Sequence, residues 1–79
     1  MKYVYILQSL EESERYYVGL TDDLKERLKY HNAGKVLHTA KYKPWRVNTY
    51  LAFSDERRAV AFEKYLKSSS GRAFGKKRL

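Results

Sequence analysis

Cysteine is absent from the 79-residue chain. Its absence excludes structural disulfides, a disulfide-linked partner and thiolate metal sites, and fits a cytoplasmic setting best. Long hydrophobic runs are absent too. None approaches the roughly 18 residues of a membrane span, and the N-terminus carries no signal-peptide pattern, so no membrane role is expected. Met1 leads directly into a strand-like segment, as expected of a complete, unprocessed chain. Proline occurs once, at Pro44, and argues against strand or helix around it. Acid is scarce in the second half. Residues 35–79 hold twelve Lys/Arg and three Asp/Glu, against five and six in residues 1–34, so the basic half supplies all of the +8 net charge. Such a surface attracts polyanions and favours nucleic acid. A solvated, solubility-giving face accounts for the charge alone equally well. An amphipathic membrane helix fits less well, because the basic segments lack a wide apolar face.

What is present suits one small domain, spanning 1–79, with a thin core: 43% of the residues are hydrophobic and 15% aromatic. Eight tyrosines help, since a tyrosine can cover core with its ring and keep its hydroxyl wet. Residues 2–8 and 15–20 are rich in β-branched and aromatic types and read as an antiparallel hairpin around a polar, acidic loop at 9–14. Alternation puts Tyr3, Tyr5 and Leu7 on one face and Val4 and Ile6 on the other; Tyr17 and Gly19 likewise oppose Tyr16, Val18 and Leu20. Thr21 reads as an N-cap, with Asp22 and Asp23 in the first turn of a helix that runs to about Ala33 and ends at Gly34. Leu24, Leu28 and His31 share one side of it, and Arg27 and His31 are i,i+4 neighbours able to face one ligand. Residues 35–45 read as a basic loop. Arg46 to Phe53 alternates Val47, Thr49, Leu51 and Phe53 against Asn48, Tyr50 and Ala52, a third strand. Ser54 or Asp55 caps a helix to about Lys67. Ser68-Ser69-Ser70-Gly71 breaks it, and Arg72–Leu79 is a basic tail with a helical turn or two. No internal repeat or second domain is evident.

Four polar residues fall inside segments that otherwise read as core: Tyr5, Tyr17, Arg27 and Glu63. Glu63 is the clearest anomaly. Ala59, Phe62 and Leu66 define a buried stripe, and Glu63 lies roughly 40° around the helix from Ala59, at the stripe's edge. A carboxylate turned toward a core must be paired or bind a cation; the alternatives are a salt bridge to an arginine or a side chain snorkelling out. Arg27 can instead pair with Asp23. Tyr5 and Tyr17 can be ordinary half-buried strand tyrosines, and His31 a packing histidine. His31 and His38 alone are too few for a histidine metal site. No phosphate-cradling glycine loop, Ser/His/Asp arrangement or zinc pattern is present.

Order and spacing carry more than any single residue. A strand tyrosine, a Tyr-Val-Gly about a dozen residues on, an arginine on the next helix and a glutamate on a later one resemble the GIY-YIG endonuclease superfamily. Tyr3-Val4-Tyr5 stands where that family has Gly-Ile-Tyr, and Tyr17-Val18-Gly19 where it has Tyr-Ile-Gly. Leu20 to Leu28 is similar to its continuation into the first helix, with Arg27 at the family arginine and His31 at the histidine one turn later. Ala61 to Lys67 matches the region of its metal-binding glutamate, Glu63. The resemblance covers almost the whole chain and is nearest the small stand-alone bacterial members. Two departures stand out: Tyr3-Val4 replaces Gly-Ile, and no asparagine follows Glu63, where many nuclease members carry one.

The resemblance implies an α+β fold, a three-stranded antiparallel sheet flanked by helices in the order β-β-α-β-α with a short C-terminal helix. On it Tyr5, Tyr17, Arg27, His31 and Glu63 are expected to converge on one side of the sheet. Glu63 is expected to bind one Mg²⁺ or Mn²⁺, Arg27 to hold phosphate oxygens, a tyrosine to orient or deprotonate the attacking water, and His31 to assist proton transfer or position the phosphate. The implied function is metal-dependent hydrolysis of phosphodiester bonds in DNA. Lys35, Lys41, Lys43, Lys67 and Arg72 are the expected backbone contacts, and Tyr42 and Trp45 are candidates to stack on an unpaired base, with core packing favoured for Trp45. Two other readings remain open: a non-catalytic nucleic-acid-binding module that keeps the fold, and a protein-interaction domain with an incidental basic surface.

Overall fold

The computed structural model describes residues 1–79. Three antiparallel strands, β1 (Lys2–Ser9), β2 (Tyr16–Thr21) and β3 (Trp45–Phe53), form one sheet in the order β2-β1-β3. The helices are α1 (Leu24–Asn32), α2 (Leu37–Ala40), α3 (Glu56–Lys67) and α4 (Ser69–Arg78). No helix is long and apolar enough to cross a membrane.

β1 occupies the centre because it is apolar on both faces: Val4, Tyr5, Ile6 and Leu7 are all buried. Its alternation divides the core as the sequence predicts. Val4 and Ile6, joined by Val18, Leu20 and Phe53, pack under Ala59, Phe62 and Leu66 of α3. Tyr5 and Leu7 belong to a second cluster with Trp45, Tyr17, Val47, Leu24, Leu28 and Tyr42. α3 thus covers one face of the sheet and α1 the other.

Local signals explain most boundaries, and several lie elsewhere than the sequence suggests. The N-cap of α1 is Asp23, whose carboxylate accepts from the Glu26 amide at 3.1 Å. Thr21 instead closes the turn before it, accepting from the Asp23 amide at 3.1 Å. The helix ends as expected. Gly34 takes φ 76°, its amide reaches the His31 carbonyl, and the Lys35 amide reaches that of Tyr30, a double closure that favours glycine.

β3 differs in register. Ile6 pairs with Thr49 but Leu7 pairs with Val47, a bulge that inserts Asn48. Val47 therefore joins the Tyr5 and Leu7 face rather than that of Thr49, Leu51 and Phe53.

The basic segment 35–45 is not all loop. One helical turn, α2, forms within it after extended Val36, whose carbonyl receives the Thr39 and Ala40 amides. Trp45 begins β3 directly after Pro44. The C-terminal tail is a ten-residue helix rather than a turn or two. Ser68 ends α3 and also caps α4, its hydroxyl accepting from the Gly71 amide at 3.1 Å. A side chain at Gly71 would overlap the Tyr65 carbonyl, so α4 crosses tightly over the end of α3.

Candidate active site

The hydroxyl of Tyr5 is the meeting point of three elements. Tyr5 points from β1 across β2, where Gly19 is its cross-strand partner. A Cβ at Gly19 would overlap the Tyr5 Cζ and hydroxyl, so glycine is required there for close approach rather than for turn geometry. α1 supplies two side chains one turn apart. His31 Nε2 lies 2.9 Å from the Tyr5 hydroxyl, and Arg27 Nε donates to the same oxygen at 3.3 Å. Both i,i+4 neighbours thus engage one atom, as their spacing predicts.

The second nitrogen of His31 bears on the proton arrangement. Nδ1 lies 2.7 Å from the Thr39 hydroxyl, and that hydroxyl gives its own hydrogen to the Val36 carbonyl at 3.3 Å. A Thr39 hydrogen directed at Val36 favours the tautomer with the hydrogen on Nδ1 and Nε2 as acceptor. Nε2 then accepts from the Tyr5 hydroxyl, which in turn accepts from Arg27. The resulting chain runs from the guanidinium to Tyr5, His31, Thr39 and a backbone carbonyl. Tyr5, His31 and Thr39 are all buried, and no buried side-chain polar atom in the molecule lacks a partner.

The electrostatics follow from this placement. Burial, with a smaller contribution from Arg27, lowers the His31 pKa from 6.5 to about 4, so its imidazole is neutral at pH 7. Burial raises the Tyr5 pKa above the ordinary value of 10; the Arg27 hydrogen bond and charge oppose it, while Tyr17 and Glu63 add to it. Tyr5 is therefore a phenol at rest. Arg27 has no carboxylate partner: the two ion pairs of the molecule join Lys2 to Asp22 and Lys67 to Glu63. The Asp23 pairing open from the sequence is not made, and the guanidinium keeps its two amino groups free of ion pairing beside the phenol.

Tyr17 lies half-buried beside this chain, its ring centroid 5.0 Å from that of His31 and 6.5 Å from that of Tyr5. Glu63 arrives differently from the other four. Its helix packs on the Val4 and Ile6 face of the sheet, and Glu63 is linked to the cluster through Lys67 and by its charge, which acts on Tyr5. Its side chain is 16% exposed and pairs with Lys67 at 2.7 Å, a lysine four residues on rather than an arginine. The Lys67 ammonium lies 5.9 Å from the Tyr17 ring centroid, which brings the pair to the cluster.

The donors near Tyr5 limit what cation they can hold. No group of three or more His, Cys, Asp or Glu side chains is assembled anywhere in the molecule. Glu63 is the carboxylate beside the Tyr5 cluster, so any metal there has one protein ligand. Mg²⁺ tolerates that arrangement, since it keeps several waters and takes substrate phosphate oxygens with only one or two carboxylates. The donor set fits such an ion and excludes a closed structural metal site.

Of the expected backbone-contacting residues, Lys67 alone is placed beside Tyr17 and Glu63. Lys35, Lys41 and Lys43 are exposed around α2; Lys35 sits 5.2 Å from the Tyr30 ring centroid and Lys41 5.6 Å from that of Tyr42. Arg72 is exposed on α4. Tyr42 is half-buried with the Arg15 guanidinium 4.3 Å from its ring centroid. Trp45 is buried, its indole donating to the Thr39 carbonyl at 2.9 Å, so it is core and not a stacking surface. His38 is exposed and takes no part.

Two residues of this region carry no strong sequence signal. Thr39 orients His31 from a turn too short for periodicity. Asn32 clamps the end of α1 to the start of β3, accepting from the Trp45 amide at 2.6 Å and donating to its carbonyl at 3.0 Å. A faint signal existed for Asn32 alone, as an amide side chain one residue before the helix C-cap.

Residues 1–78 match the family model described as the GIY-YIG catalytic domain. The chain belongs to the GIY-YIG family. A UPF0213 protein from Lacticaseibacillus paracasei is 39% identical over 66 residues, which cover 82% of this chain and 72% of the relative. One from Streptococcus pyogenes serotype M3 is 33% identical over 72 residues, covering 90% and 76%. The solution NMR structure of a UPF0213 protein from Bacillus halodurans superposes with a TM-score of 0.57 at 32% identity, covering 96% of this chain and 81% of that one. The three-stranded sheet with its helices is thus the GIY-YIG fold, a nuclease-type fold. Tyr5, Tyr17 and Gly19 lie within the matched span, and the requirement for glycine at 19 has a local cause in the ring of Tyr5.

Proposed function

We propose that this GIY-YIG protein is a metal-dependent endonuclease that hydrolyses phosphodiester bonds in DNA. The observation that carries the reading is the Tyr5 hydroxyl, held between an imidazole nitrogen at 2.9 Å and a guanidinium N–H at 3.3 Å. A phenol so placed can give its proton to His31 Nε2 while its oxygen takes one from an attacking water. Arg27 stabilises the oxygen as charge develops on it. Of the two tyrosines, Tyr5 is the base in this scheme, because it has both the acceptor and the cation; Tyr17 lines the site beside it.

The amino groups of Arg27 hold the non-bridging oxygens of the scissile phosphate, and Glu63 would hold Mg²⁺ or Mn²⁺. When bound, the cation supplies charge that polarises the phosphate and stabilises the leaving oxygen. Lys35, Lys41, Lys43, Lys67 and Arg72 supply contacts to the strand backbone, which position it without reading sequence.

The test is cleavage of supercoiled, branched and single-stranded DNA with Mg²⁺ or Mn²⁺ by the wild type beside Glu63→Ala and Arg27→Ala. Cleavage by the wild type that is lost in both variants supports the reading. Cleavage that persists in both removes the proposed site. Binding with no cleavage by the wild type identifies a nucleic-acid-binding module on the same fold.

A further inference from the structure

The nuclease reading leaves one ion pair unused. Glu63 is paired with a lysine of its own helix, and that lysine also faces Tyr17. Solvent-exposed i,i+4 pairs are common and weak, but this pair differs in two respects. The Glu63 side chain is 16% exposed and that of Lys67 47%, so the acid is the less accessible partner. The ammonium also lies toward the Tyr5 cluster, 5.9 Å from the Tyr17 ring centroid. A carboxylate on a largely covered side chain at the edge of a packed stripe favours a neighbouring cation whether or not a metal is bound. Lys67 is the cation that supplies it.

We propose that Lys67 is a tethered counter-ion of the metal ligand: its ammonium occupies the cation position at Glu63 and yields it when a divalent ion arrives together with phosphate. The inference rests on the reading of Glu63 as that ligand. A single carboxylate already neutralised by a lysine is a poor site for a free divalent ion, because the metal must displace a charged partner at 2.7 Å. An incoming phosphodiester changes the balance. It adds oxygen ligands for the ion and offers the displaced ammonium an anion within reach of its flexible four-carbon stem. Metal loading is thereby coupled to substrate, and Lys67 is a positioning residue for the metal rather than only a contact to the strand.

The experiment measures Mn²⁺ binding by the full chain without nucleic acid, from the loss of the free Mn²⁺ signal in electron paramagnetic resonance. Wild type, Lys67→Met, Lys67→Arg, Glu63→Gln and the Glu63→Gln/Lys67→Met double variant are compared, each checked for folding by circular dichroism. Lys67→Met keeps the apolar stem and removes the charge. It is expected to bind Mn²⁺ about two- to fivefold more tightly than wild type, the factor that accompanies an ion pair of ordinary strength. Lys67→Arg should restore the weak binding, and the double variant should lose the gain. The same titration with a non-cleavable phosphorothioate oligonucleotide should narrow the difference between wild type and Lys67→Met. Binding that depends on Glu63 but is equal in wild type and Lys67→Met overturns the inference and leaves the nuclease reading standing. Binding that never depends on Glu63, with oligonucleotide or without, overturns both.

Discussion

Gly19 and Tyr5 are cross-strand partners whose side-chain positions coincide: the phenol fills the space a Cβ on residue 19 would need. The hydroxyl that meets His31 and Arg27 is thus placed by an absence on the neighbouring strand. Gly19→Ala is expected to push the ring off β2 and break both hydrogen bonds to the hydroxyl. Overpacking of this kind costs about 1–3 kcal/mol, a fall in Tm of several degrees for a chain of this size. Cleavage should fall by about a hundredfold or more, since about 1 Å of misplacement at a reacting group costs that much. Thermal unfolding and a cleavage assay on the same preparation check it; unchanged values in both would show that the ring does not depend on residue 19.

Thr39 is the hydrogen-bond partner of His31 Nδ1, and with its own hydrogen on the Val36 carbonyl it favours a hydrogen on Nδ1. Thr39→Val keeps the shape and removes the acceptor, leaving a buried N–H without a partner at a cost of about 1–3 kcal/mol. The imidazole then has no reason to keep Nε2 bare, and the Tyr5 proton loses its acceptor. Cleavage is expected to fall by about ten- to a hundredfold, with Thr39→Ser close to wild type. Nitrogen NMR of His31 separates this effect from simple destabilisation. A tautomer identical in wild type and Thr39→Val would exclude the positioning role.

His31 also makes a prediction about acid. Its pKa is lowered to about 4 in the folded chain and returns to about 6.5 on unfolding. Between those values the unfolded chain binds a proton that the native one refuses. Stability is therefore unpenalised above about pH 6.5 and declines as pH falls toward 4, by on the order of 2–3 kcal/mol at the low end. Urea unfolding at pH 7 and pH 4.5 should show a larger loss for wild type than for His31→Gln, whose side chain does not titrate. Equal losses would mean that His31 is not buried neutral. Arg27→Ala should raise the His31 pKa, because the guanidinium charge is one of the two causes that lower it.

Much of this centre is legible in the chain itself, for reasons that differ between residues. Period-2 alternation puts Tyr5 with Leu7 and Tyr17 with Gly19, and helical spacing puts Arg27 with His31; both periods are set locally by backbone geometry. Glu63 is recognisable at the edge of an apolar stripe. The side of the sheet its helix would cover is not, because periodicity orients a helix about its own axis and says nothing of which sheet face receives it. The bulge at Asn48 is hidden for a related reason: register is decided by pairing with β1, not within β3. Thr39 is hidden because α2 spans only four residues. The length of α4 has a visible cause in Ser68, a residue that serves equally well as a break or as a cap.

The basic surface makes the last prediction, and it separates strand binding from chemistry. Lys35, Lys41 and Lys43 are exposed and hold no carboxylate partner, so a strand that meets them exchanges its counterions for these ammonium groups. Each lysine that no longer neutralises a phosphate should reduce the slope of log affinity against log salt by roughly 0.7 to 0.9. The Lys35→Ala/Lys41→Ala/Lys43→Ala variant is therefore expected to flatten that slope by about two to three for a DNA ligand. Its stability should stay within about 0.5 kcal/mol of wild type for each substitution, because the removed groups are at the surface. Fluorescence anisotropy across a salt series measures the slope. Because these lysines stand apart from Tyr5, their removal should weaken binding while leaving the cleavage rate at saturating DNA unchanged. A slope identical to wild type would place the nucleic-acid path elsewhere, with the exposed Arg72 on α4 as the next residue to remove.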